Sequence, residues 1–176
     1  MKKIIIGFLL LAWARGGILL AEDNEKELWN AVKNENPILV KFYLQQKVDC
    51  NRLDRLGATP LHWAAMVGNH EITLLLLQHG ANIKASHERL SKPLLIAATN
   101  GYTECVKHLI DYDNEIDAPN SDGLTALHVA ARGGHIAVVK LLLESGASKT
   151  VQTNLGQTPL HFAQIKKNAE LIDLLS

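Results

Sequence analysis

The sequence is short of almost everything that marks a catalyst. It holds no Gly-x-Ser-x-Gly elbow, no glycine-rich phosphate loop and no dinucleotide fingerprint, so the sites those motifs build are excluded. Of its eight histidines none stands in a His-x3-His or His-Glu-x-x-His spacing, and its two cysteines do not form Cys-x2-Cys. Asn-x-Ser/Thr is missing as well. No enzyme, no cofactor and no metal site are therefore expected. Nor is there any net charge, with 18 basic and 18 acidic residues.

That zero hides an asymmetry. Lys2, Lys3 and Arg15 lie in the first 21 residues, which contain no acid, and the rest of the chain is left mildly acidic. A body of that sign offers no general phosphate-binding field, and nucleic acid is not an expected partner. The apolar share of 47% and charged share of 20% suit a globular core.

The first 21 residues read as an export signal. Lys2 and Lys3 lead, Ile4 to Ala14 is apolar with only Gly7 interrupting, and Ala12, Ala14 and Ala21 supply small residues before Glu22. The run of about eleven residues falls short of the ~20 that cross a bilayer. Cleavage is expected after Ala21, because cutting at Ala12-Trp13-Ala14 would leave Ile18-Leu19-Leu20 in water. A periplasmic or secreted bacterial protein follows, with an inner-membrane anchor as the alternative. Glu22 and Asp23 are then expected in a flexible polar tail.

The rest of the chain is periodic. Gly57, Gly123 and Gly156 fall on a 33-residue grid whose fourth site is Leu90. Leu61, Leu94, Leu127 and Leu160 share that grid, as do Ala64, Ala97, Ala130 and Ala163, and Leu28 and Ala31 lie one period earlier. Each period reads as two short helices. Thr59-Pro60 and Thr158-Pro159 place a capping threonine before a proline that needs no N–H. Gly68, Gly101 and Gly134 end the first helix. Glu71 opens a second, whose stripe of Ile72, Leu75 and Leu76 is expected to face the first, and Gly80 closes it. One such pair cannot bury its own apolar face, and stacking of neighbours does.

These residues resemble the ankyrin repeat. Thr-Pro-Leu-His stands at Thr59 to His62 and Thr158 to His161, with Thr-Ala-Leu-His at Thr125 to His128, and Gly80-Ala81-Asn82 matches the family's helix ending. The resemblance covers Asn24 to Ser176 and implies an all-α solenoid of five units, 24–56, 57–89, 90–122, 123–155 and 156–176, with β-turn fingers and a concave face that binds macromolecules. It also implies that His62, His128 and His161 brace turns between neighbouring units. The first and last units depart from the pattern as caps do, so the array is expected to be complete. Cys50 and Cys105 replace buried apolar residues two units apart and are expected to be free thiols.

Binding residues are those the framework leaves unused. The slot after the signature histidine holds Trp63, Ile96, Val129 and Phe162, and the next exposed slots hold Met66, Thr99 and Arg132. Fingers add Arg55 and Arg89. Aromatic and arginine side chains dominate protein–protein hot spots. The expected partner surface is Arg55, Trp63, Met66, Arg89, Ile96, Tyr102, Arg132 and Phe162, centred on Trp63. Unit three breaks the pattern, with Leu90 for the turn glycine, Lys92 for threonine, Leu95 for histidine and Asp113-Asn114 for Gly-Ala. Strain is expected there. The chain is thus expected to be a monomeric, non-catalytic scaffold that binds or protects one protein and leaves the membrane after cleavage. A secreted effector acting on host proteins and a haem- or metal-binding accessory of a periplasmic enzyme, through His87 or His108, are the alternatives.

Overall fold

The computed structural model describes residues 21–85, 92–113 and 115–176. The expected export segment lies outside them except for Ala21, as do His87, Arg89, Leu90 and Asn114. Among the described residues there are ten helices and no strand: α1 (Ala21–Lys33), α2 (Pro37–Gln45), α3 (Pro60–Val67), α4 (His70–Gln78), α5 (Pro93–Asn100), α6 (Thr103–Tyr112), α7 (Ala126–Gly133), α8 (Ile136–Glu144), α9 (Pro159–Lys166) and α10 (Ala169–Leu175).

Local chemistry sets where these helices begin. Proline at the first helical position opens α2, α3, α5 and α9. Asn36, Asn69 and Asn168 cap α2, α4 and α10, each side chain accepting from the backbone N–H three residues on. Helices of this length are marginal in water, so packing must hold them. The odd-numbered helices stack in one row and the even-numbered in a second, each helix also lying against its partner in the pair. Leu61, Ala64, Leu94, Ala97, Leu127 and Ala130 are sealed within the first row. Alanine there lets neighbouring axes come close. In α4 the buried stripe is Ile72, Thr73, Leu76 and Leu77, and Leu75 is only half-buried. The expected stripe is therefore rotated, and Thr73 joins it because its hydroxyl donates to the Asn69 carbonyl.

Cys50 and Cys105 are both buried and free, as their apolar slots imply. Burial pushes both thiols up from the ordinary cysteine value.

Two expectations need correction. Glu22 and Asp23 lie within α1 rather than in a tail. Asp113, on the slot of Gly80 and Gly146, has φ −113° and an extended backbone, while both glycines are left-handed. α6 runs to ten residues, and the chain leaves it without entering the left-handed region. The strain expected at Asp113 is absent. Non-glycine left-handed residues occur instead in the end units, at Glu35, Lys47 and Lys167, each on a slot held by glycine inside the array.

Candidate partner-binding surface

Three fingers among the described residues are each closed by one side chain at the root. Asp54 accepts from the backbone N–H of Leu56 (2.8 Å) and Ala58 (3.0 Å). Asn120 does the same for Asp122 and Leu124, and Thr153 for Leu155 and Gln157. Three different side chains thus perform one task, because each puts an oxygen where two orphan N–H groups point.

Just beyond the finger stands a buried Thr–His pair. In unit four the Thr125 N–H donates to His128 Nδ1 at 3.1 Å, with the Thr125 hydroxyl 2.9 Å from the same nitrogen. An accepting Nδ1 leaves the proton on Nε2, which lies 3.1 Å from the Gln157 carbonyl of unit five. The bracing role that the resemblance implied is present here as a direct bond between units. His62 repeats the inner half of this arrangement with Thr59. Burial holds both imidazoles below the ordinary value of 6.5.

A column of exposed positions then runs along the first row, one per unit: Lys33, Met66, Thr99, Arg132 and Ile165. Of the expected partner residues, Met66 and Arg132 stand in this column and Ile96 and Phe162 lie half-buried beside it. Phe162 meets His128 and His161 edge to face, its ring centroid 5.9 Å from each. Arg55 is exposed on the first finger, and Arg89 lies outside the described residues.

Trp63 is half-buried rather than free. Its indole N–H donates to Asp54 at 2.9 Å, tying the helix to the finger root, and the Lys33 ammonium lies 4.4 Å from its ring centroid. Burial alone would raise the Asp54 carboxyl. The N–H groups of Ala58, Trp63 and Leu56 and the Lys33 charge outweigh it and hold the group below the usual carboxylate value.

Tyr102 stands apart from the others. It precedes α6, at the end of the first row opposite the fingers, and its ring covers Gly68 of the preceding unit. His135 covers Gly101 in the same way and places Nε2 2.9 Å from the Thr99 carbonyl. A Cβ at Gly101 would come within 2.5 Å of the His135 ring. Glycine is needed here for the close approach of the next unit as well as for its φ.

Sequence reasoning missed the leucines of the fingers. Leu53 is 60% exposed, Leu56 63% and Leu155 83%. Their signal was available, since each is apolar in a turn where no helical stripe calls for it. Among the described residues no group of three histidine, cysteine or acidic side chains could hold a metal ion.

The family model for ankyrin repeats (3 copies) matches residues 28–120 and 94–176. The chain belongs to the ankyrin-repeat family. Ankyrin repeats are protein-interaction scaffolds, and the all-α stack described above is their fold. The chain is 35% identical over 83 residues to protein phosphatase 1 regulatory subunit 27 of Mus musculus, covering 47% of this chain and 54% of that protein. It is 29% identical over 156 residues to human SH3 and multiple ankyrin repeat domains protein 2, covering 88% of this chain and 8% of that protein. Palmitoyltransferase AKR1 of Lachancea kluyveri is 32% identical over 149 residues, which cover 82% of this chain and 20% of the transferase. The chain therefore spans about half the length of the phosphatase subunit and much less of the other two, so the likeness lies in the repeats.

Proposed function

We propose that this ankyrin-repeat chain is an exported, monomeric scaffold that binds one partner protein across the concave face and the finger tips. The observation that carries the reading is the exposure of Leu53 and Leu56 beside Arg55 on the first finger, together with the exposure of Met66 on α3. None of these side chains fills the stack, and apolar surface left in water forgoes about 25 cal/mol per Å2 that a partner would recover. A relative whose name makes it a regulatory subunit of protein phosphatase 1 is a precedent for matching repeats in a protein that serves a partner enzyme. Export rests on the character of residues 1–21 and the acidic residues that follow Ala21.

The test is capture of partners on the wild-type protein and on Leu56→Asp and Met66→Asp, followed by affinity measurement on the purified complex. Each substitution is expected to weaken binding by about 2 kcal/mol if it sits at a hot spot, with an unchanged circular dichroism spectrum. Equal affinities for all three proteins would overturn the assignment of the face. Intact mass of the exported protein is expected to start at Glu22, and a full-length membrane-bound product would overturn the export reading.

A further inference from the structure

The Lys33 ammonium makes no hydrogen bond or ion pair among the described residues, yet it does not stand in open water. It lies 4.4 Å from the centroid of Trp63 and 5.8 Å from that of Trp29, so two indoles contribute to one cation. The Asp54 carboxylate, fixed to the Trp63 indole N–H, is near enough for the Lys33 charge to act on it.

The parts differ in how firmly they are held. Trp29 is half-buried on α1, in the slot that carries histidine in units two, four and five. Trp63 packs against the core, and Asp54 is locked at the root of the first finger by the Leu56 and Ala58 N–H groups. Lys33 is an exposed side chain on the last turn of α1, lying over the rings with no hydrogen bond or ion pair among the described residues. Trp63 and Asp54 are anchored, and the occupant is exposed.

We propose that Trp29, Trp63 and Asp54 form a recognition site for a cationic side chain of the partner protein, and that Lys33 is an internal occupant which that side chain displaces. The site discriminates among cations. Asp54 already accepts three N–H groups, so it has little capacity left for a head group rich in donors, while two ring faces attract charge without needing hydrogen bonds. A weakly hydrated alkylammonium suits such walls best, and among protein side chains that is a methylated lysine. This inference rests on the protein-binding reading of the same face and names the chemistry of the partner's contact.

The experiment is an NMR titration of the full-length protein with tetramethylammonium chloride at matched ionic strength, following the indole N–H resonances of Trp29 and Trp63. Saturable shifts of both are expected at millimolar probe. Lys33→Ala should tighten the apparent affinity about two- to fivefold, the factor that removal of an exposed cation–π competitor implies. Trp29→Leu should abolish saturation while the Trp63 resonance and the thermal transition persist. Neopentyl alcohol, an uncharged probe of similar shape, should give no saturable shift. Equal response to the alcohol, or a Lys33→Ala protein that binds no tighter, would overturn the proposal. A captured partner that binds Trp29→Leu as well as wild type would remove this site and leave the wider face standing. Loss of tetramethylammonium binding has no bearing on the Leu56→Asp result, so the two readings fail separately.

Discussion

Units two and four hold their turns with a buried threonine and histidine, whereas unit three carries Lys92 and Leu95 on the same slots. In units two and four the pair satisfies the threonine N–H, and in unit four it also reaches the next unit. In unit three Leu95 is 2% exposed and Lys92 makes no side-chain cap, yet α5 has the same eight residues as α3 and α7. The slot must be filled, and hydrogen bonding is one of two ways to fill it. The far end of the unit shows the same freedom, because Asp113 avoids the left-handed turn that Gly80 and Gly146 adopt. Unit three has lost a cap, and Asp113 carries no left-handed strain. The end units did the reverse, accepting left-handed Glu35, Lys47 and Lys167 where one side of the stack is open.

The sharpest test transplants one solution into the other. His128→Leu should cost about 1–3 kcal/mol in urea or thermal unfolding, since it leaves the Thr125 N–H and the Gln157 carbonyl without their buried partner. A neutral change would show that the hydrogen bond adds nothing to filling. The same histidines make stability depend on pH. Their folded values lie below 6.5, so the unfolded chain binds more protons in that region and stability rises with pH. It is fully present above the unfolded value of about 6.5 and declines as pH falls from there toward the folded values. The His128→Leu protein should lose part of that slope, and an identical slope would place its origin elsewhere.

Next in size are the turn glycines. Gly134→Ala should cost about 1–2 kcal/mol from the left-handed backbone alone, because an added Cβ there meets nothing within 4 Å. Gly101→Ala should cost more, as His135 must also leave its place. Equal losses in chemical denaturation would mean that the His135 contact is worth nothing. The smallest effects concern what unit three and the ends gave up. Lys92→Thr should stabilise by about 0.5–1 kcal/mol by restoring a cap. Glu35→Gly should give a gain of similar size, the left-handed cost removed less the entropy that glycine adds to the unfolded chain. A loss in either would contradict the comparison between units.

Most of the stack was legible because a repeat states its own framework several times. Leu61, Leu94 and Leu127 recur on one period and are all sealed in the core, and the alanines beside them behave alike. The rotated stripe on α4 was harder to read. Thr73 counts as polar in a pattern, and only its bond to the Asn69 carbonyl explains its burial. The surface was the least legible part. Trp63 was read as unused because no stacking slot required it, and the bond to Asp54 nine residues earlier depends on how the finger folds back over α3. Tyr102 looked like a spare aromatic until the preceding unit placed Gly68 beneath it.

By itself the sequence determined the period, the helix starts at Pro60 and Pro159, the left-handed turns at Gly68, Gly101 and Gly134, and the burial of both cysteines. These follow from local backbone chemistry and from apolar residues repeated in step, which act within one unit or between identical neighbours. Only the tertiary structure decided that Asp113 leaves its helix extended, that Glu35 and Lys167 take on glycine's conformation, and that Lys33 comes to lie over Trp63. The last of these depends on a contact between different units, where the direction of a side chain is set by a neighbour roughly one period away.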